Sequence, residues 1–132
     1  MDAEPPRLLL IDDDVAATRT LAKMLREDGY VVETAADGAA AIARLARGER
    51  PDAIIVDFRL PHADGLAVAS FARARFPNVP VIVVTGWAEV VAKSDVVLDP
   101  PPHVMGKPVS YEDLRALLGK LTHRHSGDAG PA

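Results

Sequence analysis

The chain of 132 residues contains no cysteine, so neither a disulfide framework nor a zinc-thiolate centre can hold it together. Long apolar runs are also missing: none reaches the about 18 residues that a membrane-spanning helix needs. Positive charge is not in excess, with 15 Lys and Arg against 19 Asp and Glu for a net charge of −4. A surface built for phosphate backbones would show a basic patch, and none is visible, so nucleic acid is not the expected partner. The start, Met1-Asp2-Ala3-Glu4-Pro5-Pro6, is acidic and interrupted by proline where a secretory signal is basic and then apolar. These absences point to a cytoplasmic protein with no membrane partner. What remains, 48% apolar and 26% charged residues, is ordinary composition for one globular domain.

Within that domain, apolar runs alternate with helical patterns. Leu8 to Ile11 is a continuous apolar run stopped by Asp12-Asp13-Asp14, which suits a strand buried on both faces. From Val15 to Asp28, Leu21, Met24 and Leu25 recur at helical spacing, with Gly29 as the terminating glycine. Val31 to Ala35 predicts a second strand, and Asp37 caps a helix carrying Ile42, Leu45 and Ala46 that Gly48 stops. Ala53 to Val56 predicts a third strand running into Asp57, and a helix with Leu66, Val68 and Phe71 follows Pro61 and Gly65. Val81 to Val84 leads into Thr85, and His103 to Gly106 leads into Lys107-Pro108. Ser110 then caps a helix striped with Leu114, Leu117, Leu118 and Leu121. The expected fold is α/β, a doubly wound five-stranded parallel sheet. Its fourth helix is short or irregular, because Trp87 to Val97 leaves little room and Asp99-Pro100-Pro101-Pro102 cannot be helical. The expected domain covers residues 1–122, and 123–132 form a flexible tail.

The reactive side chains fall at the carboxyl ends of the strands, where ligands bind in such sheets. Asp12, Asp13 and Asp14 follow the first strand, Asp57 ends the third, Thr85 the fourth and Lys107 the fifth. Clustered carboxylates repel one another unless a cation intervenes, and hard oxygen ligands with room for water suit Mg²⁺. With the cation in place, Asp57 is a nucleophile toward a phosphoryl group whose oxygens meet the Lys107 ammonium and the Thr85 hydroxyl. A Lys107-Pro108 bond in the cis form would aim the lysine inward.

From Arg7 to about Leu121 the chain resembles the receiver domains of two-component response regulators. Asp12 and Asp13 match the family's acidic pair, Asp57 its phosphoacceptor, Thr85 its switch hydroxyl, and Lys107-Pro108 its lysine-proline. The run Asp57-Phe58-Arg59-Leu60-Pro61-His62-Ala63-Asp64-Gly65 matches the family's loop, with proline four and glycine eight residues after the aspartate. The resemblance implies a flavodoxin-like receiver with Asp12, Asp13, Asp57 and Arg59 at the metal and Asp57, Thr85 and Lys107 as the catalytic set. It also implies a sensor histidine kinase or a histidine phosphotransfer protein as donor, and a downstream protein as recipient of the signal. Val104 stands where the family carries an aromatic three residues before the lysine, so the response to phosphorylation is expected through Thr85 and the loop from Gly86 to Pro102. Thr85-Gly86-Trp87 and the short fourth helix resemble a subgroup of stand-alone receivers. Arg59 and Trp87 correspond to the positions that flank the water path to the acyl phosphate.

Other readings compete. A small haloacid-dehalogenase-type phosphatase would use Asp12 as nucleophile and Asp14 as acid/base, although Ala16 stands where that family has threonine or valine. A degenerate receiver would serve only as a docking module. Asp14 reads as a helix-start residue and Asp64 as a shaper of the loop before Gly65. His62, His103, His123 and His125 read as surface residues, and Tyr111 as a partly exposed aromatic at a helix start. The Met1 start and the tail favour an intact stand-alone regulator that signals by contact with no DNA-binding output domain, over a receiver excised from a hybrid kinase. The expected chain is not an enzyme beyond gaining and losing its own phosphoryl group.

Overall fold

The structure is a computed structural model describing residues 4–61, 64–86 and 98–122. The expectations for the fourth helix, for Trp87, for His62 and for the tail, including His123 and His125, lie outside these residues. Five strands form one parallel sheet: β1 (Arg7–Ile11), β2 (Val31–Ala35), β3 (Ala53–Asp57), β4 (Val81–Thr85) and β5 (His103–Gly106). Their spatial order is β2-β1-β3-β4-β5. Four helices lie among the described residues: α1 (Val15–Glu27), α2 (Gly38–Arg47), α3 (Gly65–Arg75) and α4 (Tyr111–Leu121).

The period of two along each strand divides the core. Leu9, Ile11, Ile54, Val56, Val81 and Val83 point to one face, where Leu45 of α2 and Val68, Ala69 and Ala72 of α3 cover them. Leu8, Leu10, Ile55, Ile82 and Val84 point to the other, beneath Leu25 of α1 and Leu114 and Leu118 of α4. Both clusters are closed to solvent at these positions. Each buried leucine or isoleucine contributes about 2 kcal/mol relative to an exposed one. The apolar runs of β1, β3 and β4 therefore have two faces to fill. The edge strands have only part of that cover: Val31 of β2 and Val104 of β5 are 40% exposed.

Short polar side chains start the helices, as the spacing predicts for Asp14, Asp37 and Ser110; Asp64, expected to shape the loop before Gly65, is a helix cap as well. Asp14, Asp37, Asp64 and Ser110 accept hydrogen bonds from the amides of Ala17, Ala40, Ala67 and Asp113 respectively. After α1, Gly29 takes a left-handed φ of +98°, the terminating conformation that glycine tolerates. Gly48 also ends its helix, but in extended backbone with φ −107°. Met24 departs from its expected place: it belongs to the apolar pattern of α1 yet is 36% exposed, because the turn positions of Ala22 and Leu25 take the core.

Arginine side chains fasten the strand-start end of the molecule. Arg73 donates to the carbonyls of Val79 and Pro100, Arg75 to Leu45, and Arg50 to Pro51 and Asn78. Arg26 donates to Val32 of the edge strand, and Arg44 to Glu49 and the Glu33 carboxylate. Buried Asp52, a residue without a sequence signal, accepts from the Arg7 amide at 2.7 Å.

Candidate functional site

In this strand order the connection leaving β1 runs outward to β2 and the one leaving β3 runs the other way to β4, so the crevice lies at the carboxyl ends between β1 and β3. Asp12 directly follows β1, Asp57 closes β3, Thr85 closes β4 and Lys107 follows β5. The ladder sets Asp57 opposite Val84 and Thr85 opposite Gly106. The Lys107 amide donates to the Thr85 carbonyl at 2.9 Å, which carries the register one residue past β5 and fixes where the lysine stem begins. The Lys107-Pro108 bond is cis.

The side chains meet above this frame. Carboxylate oxygens of Asp12, Asp13 and Asp57 lie within 4.8 Å of one another. Lys107 Nζ donates to Asp57 Oδ2 at 2.6 Å, and the Arg59 amide donates to Asp57 Oδ1 at 3.2 Å. Asp57 is 7% exposed and Thr85 3%, whereas Asp13 is open to solvent. Arg59 is exposed and joins through its main chain. A guanidinium cannot ligate a cation, so only its carbonyl oxygen has the chemistry for a metal site.

Electrostatics follow from that crowding. Burial pushes the Asp12 carboxyl above its ordinary range, the neighbouring Asp57 carboxylate adds to the rise, and the Asp14 amide at 3.0 Å opposes it. Burial alone would lower the Lys107 ammonium, but the hydrogen bond and charge of Asp57, with Asp12 and Asp13, outweigh it and hold it above the usual lysine range. One ammonium facing three carboxylates leaves negative charge in excess. Three anionic oxygens at this separation, one of them on an open side chain, are the donor set of a hard divalent cation that keeps several waters. The residues present therefore fit Mg²⁺.

Asp14 stands apart from this group. Its carboxylate accepts from the Ala17 amide at 3.0 Å as the cap of α1. Gly65 has a larger part than sequence spacing discloses. Its amide donates to the Phe58 carbonyl at 2.7 Å, and a Cβ there would come within 2.4 Å of the Asp57 carbonyl oxygen. The start of α3 thus rests directly on the main chain that carries Asp57.

A cleft of about 650 Å³ opens beside the group. Its lining includes Asp12, Asp57 and Lys107 together with Leu21 and Met24 of α1 and Tyr111 of α4. The Tyr111 phenol donates to Asp28 Oδ2 at 2.5 Å and faces the Met24 carbonyl at 3.1 Å. Burial, and the Asp28 carboxylate that accepts its hydrogen bond, push the phenol up to about 12. Nothing in the sequence pairs these two residues, although Tyr111 was recognisable as the first residue of its helix.

A parallel 2-1-3-4-5 sheet with three carboxylates and a lysine gathered at its switch point defines the class of phosphoacceptor signalling domains. Residues 8–119 match the response regulator receiver domain family. The chain is 37% identical over 130 residues to the response regulator MprA of Mycobacterium sp. strain KMS, covering 96% of this chain and 55% of the relative. It thus spans about half the length of the curated relatives it matches. Among solved structures, a response regulator receiver protein from Sinorhizobium medicae WSM419 superposes with TM-score 0.81 at 29% identity, covering 92% of this chain and 97% of that one. The receiver domain of a sensor histidine kinase from Pseudomonas aeruginosa PAO1 superposes with TM-score 0.79 at 27% identity, covering 90% and 98%. That domain carries a magnesium ion coordinated in its active-site cleft. The chain belongs to the response regulator receiver domain family of two-component signalling.

Proposed function

We propose that this receiver accepts a phosphoryl group on Asp57 from the phosphohistidine of a sensor histidine kinase or a histidine phosphotransfer protein, and passes the signal on by protein contact in the cytoplasm. The observation that carries the reading is the Asp57 carboxylate itself, with one oxygen on the Lys107 ammonium and the Asp12 and Asp13 carboxylates beside it. Asp12, Asp13 and Asp57, with the Arg59 carbonyl, would hold Mg²⁺. When bound, the cation offsets the excess negative charge and draws electron density from the phosphoryl oxygens.

The chain's own residues then have separate tasks. An Asp57 oxygen forms the bond to phosphorus as the histidine nitrogen leaves. Lys107 moves from pairing with the free carboxylate to pairing with a phosphoryl oxygen. Thr85, at the tip of the neighbouring strand, supplies the hydroxyl that responds to the new oxygens, and Gly86 begins the connection that carries the change onward. Arg59, beside the aspartate, shields the acyl phosphate from water. Beyond gaining and losing this group the domain turns over no substrate.

The phosphatase reading loses its acid/base, because the Asp14 carboxylate is engaged as a helix cap. Acetyl phosphate with Mg²⁺ should add one phosphoryl group by intact mass, and Asp57→Asn or a chelator should abolish the addition. Equal labelling of the Asn variant, or turnover of a phosphate monoester through Asp12, would defeat the proposal. A purified parent that never labels would favour the docking module.

A further inference from the structure

We infer that Tyr111 is a positioning residue for Lys107: its phenol ties the segment that carries the lysine to the helix that follows the acidic pair. This deepens the proposed function and rests on Asp57 being the phosphoacceptor.

The lysine needs such support. Its ammonium meets Asp57 Oδ2 at 2.6 Å, yet its side chain is 42% exposed, so little packing selects one of its many rotamers. Where the ammonium falls therefore depends on the main chain beneath it. On the β5 side, the Lys107 amide is fixed to the Thr85 carbonyl at 2.9 Å. On the other side, Pro108, Val109 and Ser110 lead directly into α4, whose first residue is Tyr111. So short a link has little slack, and a shift at the start of α4 reaches the lysine.

The start of α4 is held in two ways. Leu114 and Leu118 are buried against the sheet, but apolar burial has no direction and resists sliding only weakly. The Tyr111 phenol donates to Asp28 Oδ2 at 2.5 Å and faces the Met24 carbonyl at 3.1 Å, contacts that fix both length and direction against the end of α1. Arg115 adds only a long, exposed ion pair of 3.9 Å to the same carboxylate. At its other end α1 is joined to the acidic pair: Asp14 caps its first turn, and the Thr18 hydroxyl donates to the Asp12 carbonyl at 3.4 Å. One helix thus braces the acidic pair and, through the phenol, the lysine. Because the phenol's single proton goes to Asp28, Tyr111 acts on the transfer through Lys107 and not as a donor to the phosphoryl group.

Labelling of the full chain by acetyl phosphate with Mg²⁺ should slow about fivefold in Tyr111→Phe, which keeps the ring and loses only the hydroxyl. Asp28→Ala should slow it alike, and carries the test if the first variant fails to fold by circular dichroism. Asp28→Asn retains an acceptor oxygen and should recover the parent rate, as should Arg115→Ala. Calorimetric Mg²⁺ affinity should stay at the parent value in Tyr111→Phe, since the carboxylates that would hold the cation follow β1 and close β3 and do not belong to α4. In a Lys107→Met background, Tyr111→Phe should change the rate by a factor near one. Parent-like labelling of folded Tyr111→Phe and Asp28→Ala would overturn the inference alone. So would the same loss in the Lys107→Met background, a matching loss of Mg²⁺ affinity, or an Asp28→Asn variant as slow as Asp28→Ala, each of which would make the phenol merely structural. A parent that does not label would overturn both the inference and the reading of Asp57.

Discussion

Gly65→Ala tests the contact between α3 and the phosphoacceptor strand. The new Cβ would lie 2.4 Å from the Asp57 carbonyl oxygen, 2.9 Å from Phe58 Cα and 3.1 Å from the Asp57 carbonyl carbon. All three are main-chain atoms, and the Gly65 amide is tied to the Phe58 carbonyl at 2.7 Å, so no flexible side chain can yield. Overpacking of this kind costs about 1–3 kcal/mol, against which alanine returns under about 1 kcal/mol of backbone entropy. The net loss of about 1–2 kcal/mol lowers the Tm by about 5 °C in a domain of this size. The displacement also separates Asp57 from Lys107, now 2.6 Å apart, and should slow labelling by acetyl phosphate about tenfold. Gly119→Ala is the control: it sits within α4 with nothing within 4 Å, so it should gain about 0.5–1 kcal/mol and leave labelling unchanged. The two substitutions must shift the Tm in opposite directions. A Gly65→Ala protein as stable and as quickly labelled as the parent would refute the steric account.

Lys107→Met should remain folded, since the Lys107 side chain is 42% exposed and its pair with Asp57 is worth about 1 kcal/mol or less. The folded-state pKa of Lys107 lies above 10.5, so its contribution is full below that pH and fades as pH rises through the folded value. Denaturation midpoints of parent and variant should therefore converge only in strongly alkaline buffer. Tyr111→Phe removes the phenol shared between Asp28 and the Met24 carbonyl; it should cost about 1 kcal/mol in urea unfolding and delete the tyrosinate absorbance step near pH 12. Asp13→Asn should weaken Mg²⁺ binding in a calorimetric titration, whereas Asp14→Ser, which keeps a capping oxygen, should leave it near the parent value. Equal losses from the two would show that Asp14 belongs with the cation after all.

The strand tips were legible because each buried run ends abruptly in a polar residue. Val56 to Asp57 and Val84 to Thr85 are transitions that parallel strands make at their carboxyl ends, and the strand order brings those ends together. Helix starts at Asp14, Asp37 and Ser110 were legible because these side chains act on amides only three residues away, whereas Asp64, read as a shaper of the loop before Gly65, proves to cap α3. Contacts made across the fold left no such trace. Tyr111 and Asp28 are 83 residues apart, and Asp52 and Arg7 are 45 apart. The apolar pattern of α1 identified Met24 as helical but not which side of the stripe the sheet would take. Gly65 was visible as a loop glycine at the expected spacing, whereas its need to touch the Asp57 main chain depends on how closely α3 approaches β3. The exposure of β5 likewise depends on its being an edge, which strand order decides and local composition does not.

The arginine fasteners at the strand-start end have a consequence for amide exchange. Arg26, Arg50, Arg73 and Arg75 hold carbonyls across loops and helix ends with guanidinium donors. That end is clamped by the protein's own donors, while the opposite end gathers three carboxylates against one lysine and, in the proposed function, depends on a cation to offset them. Deuterium uptake should grade from one end of the sheet to the other, and the gradient should steepen when Mg²⁺ is withdrawn. Lysine is no substitute at Arg73, since a single ammonium cannot span the Val79 and Pro100 carbonyls as a planar fork does.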